Sequence, residues 1–118
     1  MTSKIINGKE IAQSLRQDIA AEVVKLKQKF HITPTLAVIL VGSDPASEVY
    51  VGNKEKAAHS VEMNSMQFKM AHDTSESELI AKIKELNNDE KVHGILVQLP
   101  LPKHIDAKKV IHAIDHKK

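Results

Sequence analysis

Apolar residues follow different patterns along the chain, and each pattern predicts an element. From Gly8 to Phe30, Ile11, Leu15, Ile19, Val23, Leu26 and Phe30 recur at three- and four-residue steps. That spacing draws one stripe along a helix and leaves Arg16, Gln17, Lys25 and Lys27 for water. His31-Ile32-Thr33-Pro34 ends it, because the residue before a proline resists helical angles. Residues 36–41 form a short unbroken apolar run closed by Gly42, the pattern of a strand buried on both faces. Asp44 suits the cap of the next helix and Pro45 its first position, where no amide donor is needed. This helix is expected to reach about Ser60. Met66, Phe68 and Met70 alternate with Gln67 and Lys69, predicting a strand with one polar side, near a sheet edge.

Ser75-Glu76-Ser77-Glu78 reads as a capping box. The helix it opens carries Leu79, Ile83 and Leu86 on its inner face. Residues 92–99 are again nearly all apolar and predict a third strand, broken by Pro100 and Pro102. Asp106 then caps a last helix bearing Val110, Ile111 and Ile114. Strands alternating with helices imply parallel strands joined by right-handed crossovers. The expected fold is α/β: a three-layer α/β/α sandwich with a mostly parallel sheet, one domain over 1–118. Ligands of such sheets bind beyond the carboxyl ends of the strands.

Composition narrows the chemistry. The 118 residues suffice for one core, and 42% hydrophobic with 27% charged residues argue against disorder. With no cysteine, disulfides, thiolate zinc sites and a cysteine nucleophile are excluded. Net charge is +2 with lysines dispersed, and 3% aromatic residues are too few for a base-stacking platform; no nucleic-acid partner is expected. No apolar run approaches the roughly 20 residues of a membrane span, and Met1-Thr2-Ser3-Lys4 does not open a signal peptide. A cytoplasmic protein without a membrane partner is expected.

Candidate chemistry gathers where strands end. Tyr50 and Lys54 stand four apart, on one helix face, so a ring and an amine can serve a flat ligand. Gln98 interrupts a buried run at the end of the third strand, and a buried amide needs partners for its oxygen and its nitrogen. If the strands are parallel, Lys54 and Gln98 meet across one rim. The glutamine can then orient the lysine as a general acid or base. Each signal has a plain alternative, namely an amphipathic helix with an exposed lysine and a core glutamine paired to backbone. His112 and His116 have helical ligand spacing but no third partner, so no metal is expected. The four glycines form neither a phosphate loop nor a dinucleotide fingerprint.

The run 34–47, Pro-Thr-Leu-Ala-Val-Ile-Leu-Val-Gly-Ser-Asp-Pro-Ala-Ser, followed by Tyr50-Val51 and Asn53-Lys54, resembles the amino-terminal domain of a known family. So do the opening Ile5-Ile6-Asn7-Gly8-Lys9 and the run Gly94-Ile95-Leu96-Val97-Gln98-Leu99-Pro100-Leu101-Pro102. The family is the FolD family of bifunctional methylenetetrahydrofolate dehydrogenase/methenyltetrahydrofolate cyclohydrolases. The resemblance implies oxidation of 5,10-methylenetetrahydrofolate with NADP (NAD in some members), then hydrolysis to 10-formyltetrahydrofolate, in one-carbon metabolism. It implies that Tyr50 packs on the aminobenzoyl ring, that Lys54 transfers protons in the cyclohydrolase step, and that Gln98 positions Lys54. The main chain of Val97, Gln98, Leu99 and Pro100 would line the folate pocket.

Two departures from that family matter. Glu62 stands where a glycine is usual, which is expected to alter the turn into the second strand. The sequence stops at Lys118, where the family continues with an Asp-Val-Asp-Gly motif, an NADP-binding Rossmann domain and a returning carboxyl-terminal helix. By the resemblance, NADP would be held by the missing domain and by no residue of this chain, and the parent enzyme would be a homodimer. Three expectations stay open for this chain alone: a folate-binding half without full activity, a domain with residual cyclohydrolase activity, and a non-enzymatic binding remnant.

Overall fold

Each helix begins where a side chain satisfies free amides. In the computed structural model, which describes residues 5–118, helix α1 (Gly8–Phe30) follows Asn7, whose side-chain oxygen accepts from Lys9 and Glu10. Asp44 accepts from Ala46 and Ser47 at the start of α2 (Pro45–Ser60). Ser75 accepts from Glu78 at α3 (Glu76–Asn87), and Asp106 from Lys108 at α4 (Ala107–Ala113). Such a cap is worth about 0.5–2 kcal/mol over alanine. At the other end of α1, His31 turns left-handed (φ 55) and its amide donates to the Lys27 carbonyl. The opening residues Met1-Thr2-Ser3-Lys4, read above for a signal peptide, lie outside the described residues. Among those described, no helix is long and apolar enough to cross a membrane.

Strands β1 (Thr35–Val41), β2 (Asn64–Met70) and β3 (Gly94–Val97) form a parallel sheet in the order β2-β1-β3. The continuous apolar run is therefore the central strand, paired on both edges and covered on both faces. Successive β1 side chains alternate between the faces. Ala37, Ile39 and Val41 join Leu79, Ile83 and Leu86 of α3 and Val110 of α4 in the larger core. Val38 and Leu40 join Val51 of α2 on the other side. Helices thus lie on both faces, giving the expected three layers. β2 is the edge expected from its alternation: Phe68 and Met70 pack toward the larger core, and Lys69 pairs with Glu48 of α2 at 2.9 Å.

The structure corrects several expectations. β3 has only four residues. Val92 is buried but belongs to a turn, its amide bonded to the Asp89 carbonyl, so burial extended the apolar run past the ladder. The stripe of α1 is the larger departure. Only Val23 is buried, while Ile11 and Leu15 are each 57% exposed and Phe30 is 53% exposed. Periodicity decides which residues share a face, not whether another element covers it. On α4, Val110 faces inward and Ile111 is half exposed. Along the outer edge of β3, the Ile95 amide donates to the Lys118 carbonyl at 3.2 Å, and the Lys118 ammonium donates to the carbonyls of Asp89 and Val92.

Glu62 has φ 63. That left-handed conformation costs an L residue roughly 1–2 kcal/mol and spares glycine. The turn into β2 therefore keeps a glycine's shape with glutamate in it, and the Glu62 amide still closes α2 on the His59 carbonyl. Glu62→Gly is expected to raise stability by about 0.5–1 kcal/mol, net of glycine's greater unfolded-state freedom. A urea midpoint that stays put or falls would count against strain at Glu62.

Candidate active site

Parallel pairing brings the ends of β1 and β3 to one rim, and the chain leaves each end in a different way. After β1, Gly42 takes φ 89, a conformation that favours glycine, and the chain turns into the Asp44 cap and α2. After β3 the ladder runs on for one more bond, from the Gln98 amide to the Ile39 carbonyl at 2.9 Å. Alternation along β3 sends Ile95 and Val97 toward α3 and α4, and Leu96 and Gln98 toward α2. Gln98 is accordingly buried, 7% exposed, beneath that helix.

On α2 the buried positions are Ser47, Val51 and Ala58. Lys54 falls between the last two at helical spacing, so it occupies an inward position and is half-buried. A lysine there needs a partner. It has one: Lys54 Nζ donates to Gln98 Oε1 at 2.6 Å. The same amide donates through Nε2 to the Leu99 carbonyl at 2.9 Å, which fixes its orientation with the oxygen toward the lysine. Because that acceptor is neutral, the amine is placed without being neutralised by a carboxylate. The neighbouring acid Glu55 is engaged elsewhere, accepting from Gln67 of β2 at 2.6 Å. A lysine carries three donors when protonated, so those not given to Gln98 remain for a ligand.

Tyr50 lies one helical turn before Lys54 and is 56% exposed, so it is open to pack on a flat ligand. Leu99 is 45% exposed and Pro100 is exposed, joined by a cis peptide bond. Val97 points its side chain into the opposite layer, so only its main chain can face a ligand at this rim. The Leu99 carbonyl is already taken by Gln98. Beside Lys54, a slot of about 330 Å³ opens between α1 and α2, floored by Leu36 and Leu96 and walled by Ile19, Ala57 and Val61. Arg16 lines it too, although the helical pattern assigned that residue to water. No sequence signal marks it, since the placement of α1 beside α2 is a tertiary fact. The inward position of Lys54 shows only once Ser47, Val51 and Ala58 are seen to be buried.

The remaining candidates separate. α4 ends at Ala113, so His112 and His116 do not share a helix. Among the described residues, no group of three His, Asp or Glu side chains is placed to hold a metal ion.

Comparison with known proteins places this arrangement in context. Residues 6–118 match the family described as tetrahydrofolate dehydrogenase/cyclohydrolase, catalytic domain. Among curated relatives, the bifunctional protein FolD of Magnetococcus marinus is 54% identical over 114 residues, covering 97% of this chain and 40% of the relative. That of Parvibaculum lavamentivorans is 55% identical over 115 residues, covering 98% of this chain and 39% of the relative. The chain thus spans about two fifths of the length of these relatives. Its structure resembles the FolD methylenetetrahydrofolate dehydrogenase/cyclohydrolase of Campylobacter jejuni, with a TM-score of 0.92 at 40% identity over 94% of this chain and 39% of that one. It also resembles the Trypanosoma brucei enzyme solved with NADP cofactor and inhibitor, with a TM-score of 0.90 at 29% identity over 100% of this chain and 41% of that one.

Proposed function

The chain belongs to the tetrahydrofolate dehydrogenase/cyclohydrolase catalytic-domain family, and from that premise we propose that it is the folate-binding part of a bifunctional enzyme. That enzyme oxidises 5,10-methylenetetrahydrofolate to the methenyl form with NADP and hydrolyses the methenyl form to 10-formyltetrahydrofolate. The observation that carries the reading is the bond from Lys54 to the buried Gln98 amide. Hydrolysis begins with water adding to the methenyl carbon, which releases a proton. It ends with cleavage of the bond from that carbon to N5: N5 gains a proton while the hydroxyl on the carbon loses one to become the formyl oxygen, so one proton leaves to solvent overall. An amine held at one place can accept the first proton and return the second to N5. Tyr50 packs on the aminobenzoyl ring, and the main chain of Val97, Leu99 and Pro100 borders the folate.

Nicotinamide dinucleotide does not fit the residues described. The turn after β1, through Gly42 into α2, has one glycine and lacks the glycine-rich loop that brings phosphates to a helix start. Its free amides at Ala46 and Ser47 already bind the Asp44 carboxylate, an anion where pyrophosphate would sit. The cofactor is therefore expected on other parts of the parent enzyme.

Calorimetric titration separates these statements. Tetrahydrofolate should give saturable heat with this chain, and Tyr50→Ala should weaken binding by about 1–2 kcal/mol through lost ring packing. NADP at millimolar concentration should give none. No saturable folate binding would sink the reading, and a micromolar NADP constant would sink the cofactor assignment.

A further inference from the structure

At the end of the sheet away from Lys54, a side chain stands in for the backbone. The amide of Thr35, the first residue of β1, donates to Nδ1 of His93 at 3.0 Å. His93 precedes β3, and its own amide donates to the Thr35 carbonyl at 2.9 Å. The two bonds close a rung between Thr35 and His93, one place before the pairing of Leu36 with Gly94. Thr35 is buried, 5% exposed, so water is a poor substitute for a lost partner. The neighbouring Val92 carbonyl is occupied by the Lys118 ammonium. The buried amide therefore depends on the ring. An imidazole nitrogen accepts only while it carries no proton. The bond fixes the neutral tautomer with its proton on Nε2, and a second proton on Nδ1 would set two N–H groups against each other.

We propose that His93 is an acid-sensitive latch: with its ring neutral it closes the β1–β3 ladder at its start, and on protonation it releases the Thr35 amide and opens that rung. The sense follows from the donor and the acceptor. The bond is present at neutral and basic pH and is lost as pH falls from about 8 to about 5, the interval in which histidine gains its charge. β3 has only four residues and leads directly into Gln98, so its hold on β1 rests on few rungs and the loss of one counts. The charged groups around the ring can be named. His31, just after α1, and Glu90 and Lys91, in the turn before β3, border with it a recess of about 490 Å³. The Asp89 carboxylate accepts from the Lys91 amide, and the Lys118 ammonium binds the carbonyls of Asp89 and Val92. Among the described residues no carboxylate lies within ion-pair distance of His93, so no ion pair replaces the bond when the ring is charged.

Hydrogen exchange at the Thr35 amide, read by NMR as protection relative to the unfolded chain, tests the latch. Protection should fall about tenfold between about pH 8 and about pH 5, as loss of one buried bond allows, while Ile39 in the middle of β1 keeps its own. No fall at Thr35 would overturn the proposal. An equal fall at Ile39 would mean general unfolding in place of a local latch, and would overturn it too. His93→Asn offers a side-chain oxygen that does not titrate, so Thr35 protection in that variant should be the same at both pH values, whether high or low. The same fall in the variant would place the titrating group elsewhere and sink the assignment to His93. A readout that needs no substitution is the ring itself. Its nitrogen chemical shifts at about pH 8 should show Nδ1 bare and Nε2 protonated, and the opposite tautomer would overturn the latch.

Discussion

Replacing Lys54 with alanine should nearly abolish hydrolysis of methenyltetrahydrofolate by an enzyme in which this chain is joined to the remaining segments of a relative. A positioned acid or base contributes typically about 100- to 10,000-fold, and the loss is expected on that order. The fall should appear in kcat and in kcat/KM alike if the amine acts in the transition state. The substitution also leaves Gln98 Oε1 buried without its partner, which costs about 1–3 kcal/mol of stability. Activity and melting must therefore be measured on the same samples. Lys54→Met restores the aliphatic stem and separates packing from proton transfer: it should recover stability lost with the stem and none of the turnover. Hydrolysis within about threefold of the unaltered enzyme would remove Lys54 from the mechanism.

Ile39→Ala should be the most damaging single truncation in the core. Ile39 is fully buried at the centre of β1, between Phe68 and Val97 in the register. Truncating such a residue costs about 2–5 kcal/mol, from lost burial and from the cavity left behind. Total stability of a domain is only about 5–15 kcal/mol, so the variant should melt far earlier in urea. Leu15→Ala on α1, at a site 57% exposed, should change the midpoint by about 0.5 kcal/mol or less. A Leu15 effect matching that of Ile39 would mean that α1 packs in solution against something the structure does not show.

These paired expectations mark what the residues disclose by themselves. The central strand was legible because Leu36 to Val41 leaves no polar side, and such a run is stable only when both faces are covered. The helix starts were legible because Asp44, Ser75 and Asp106 are local devices that act on amides two or three residues away. The meeting of Lys54 with Gln98 was legible once the strands were taken as parallel, since both then leave the same rim. Burial of the α1 stripe was not legible. Its periodicity is a property of the helix, whereas its cover depends on distant parts of a chain. The left-handed turn at Glu62 escaped for a similar reason: a glutamate advertises no positive φ, and the family's glycine gave only the hint. Arg16 looked like an ordinary solvated residue until α2 was placed beside α1.

The two faces of the sheet differ in a way that bears on how such a domain can change over time. Ile39, Leu79, Ile83 and Val110 concentrate stability on the side away from Lys54. The side carrying Lys54 holds a smaller core of Val38, Leu40 and Val51. Substitutions around the slot therefore perturb few of the contacts that keep the chain folded. Ligand preference can drift there through many viable intermediates, because a change of specificity does not have to be rescued by a second, stabilising change. The opposite face has no such freedom: a new side chain at Ile39 or Leu79 is screened first for packing, whatever it might do for the ligand. Laboratory evolution toward altered folates should accordingly collect its substitutions on α1, on α2 and after β3, and leave α3 almost untouched.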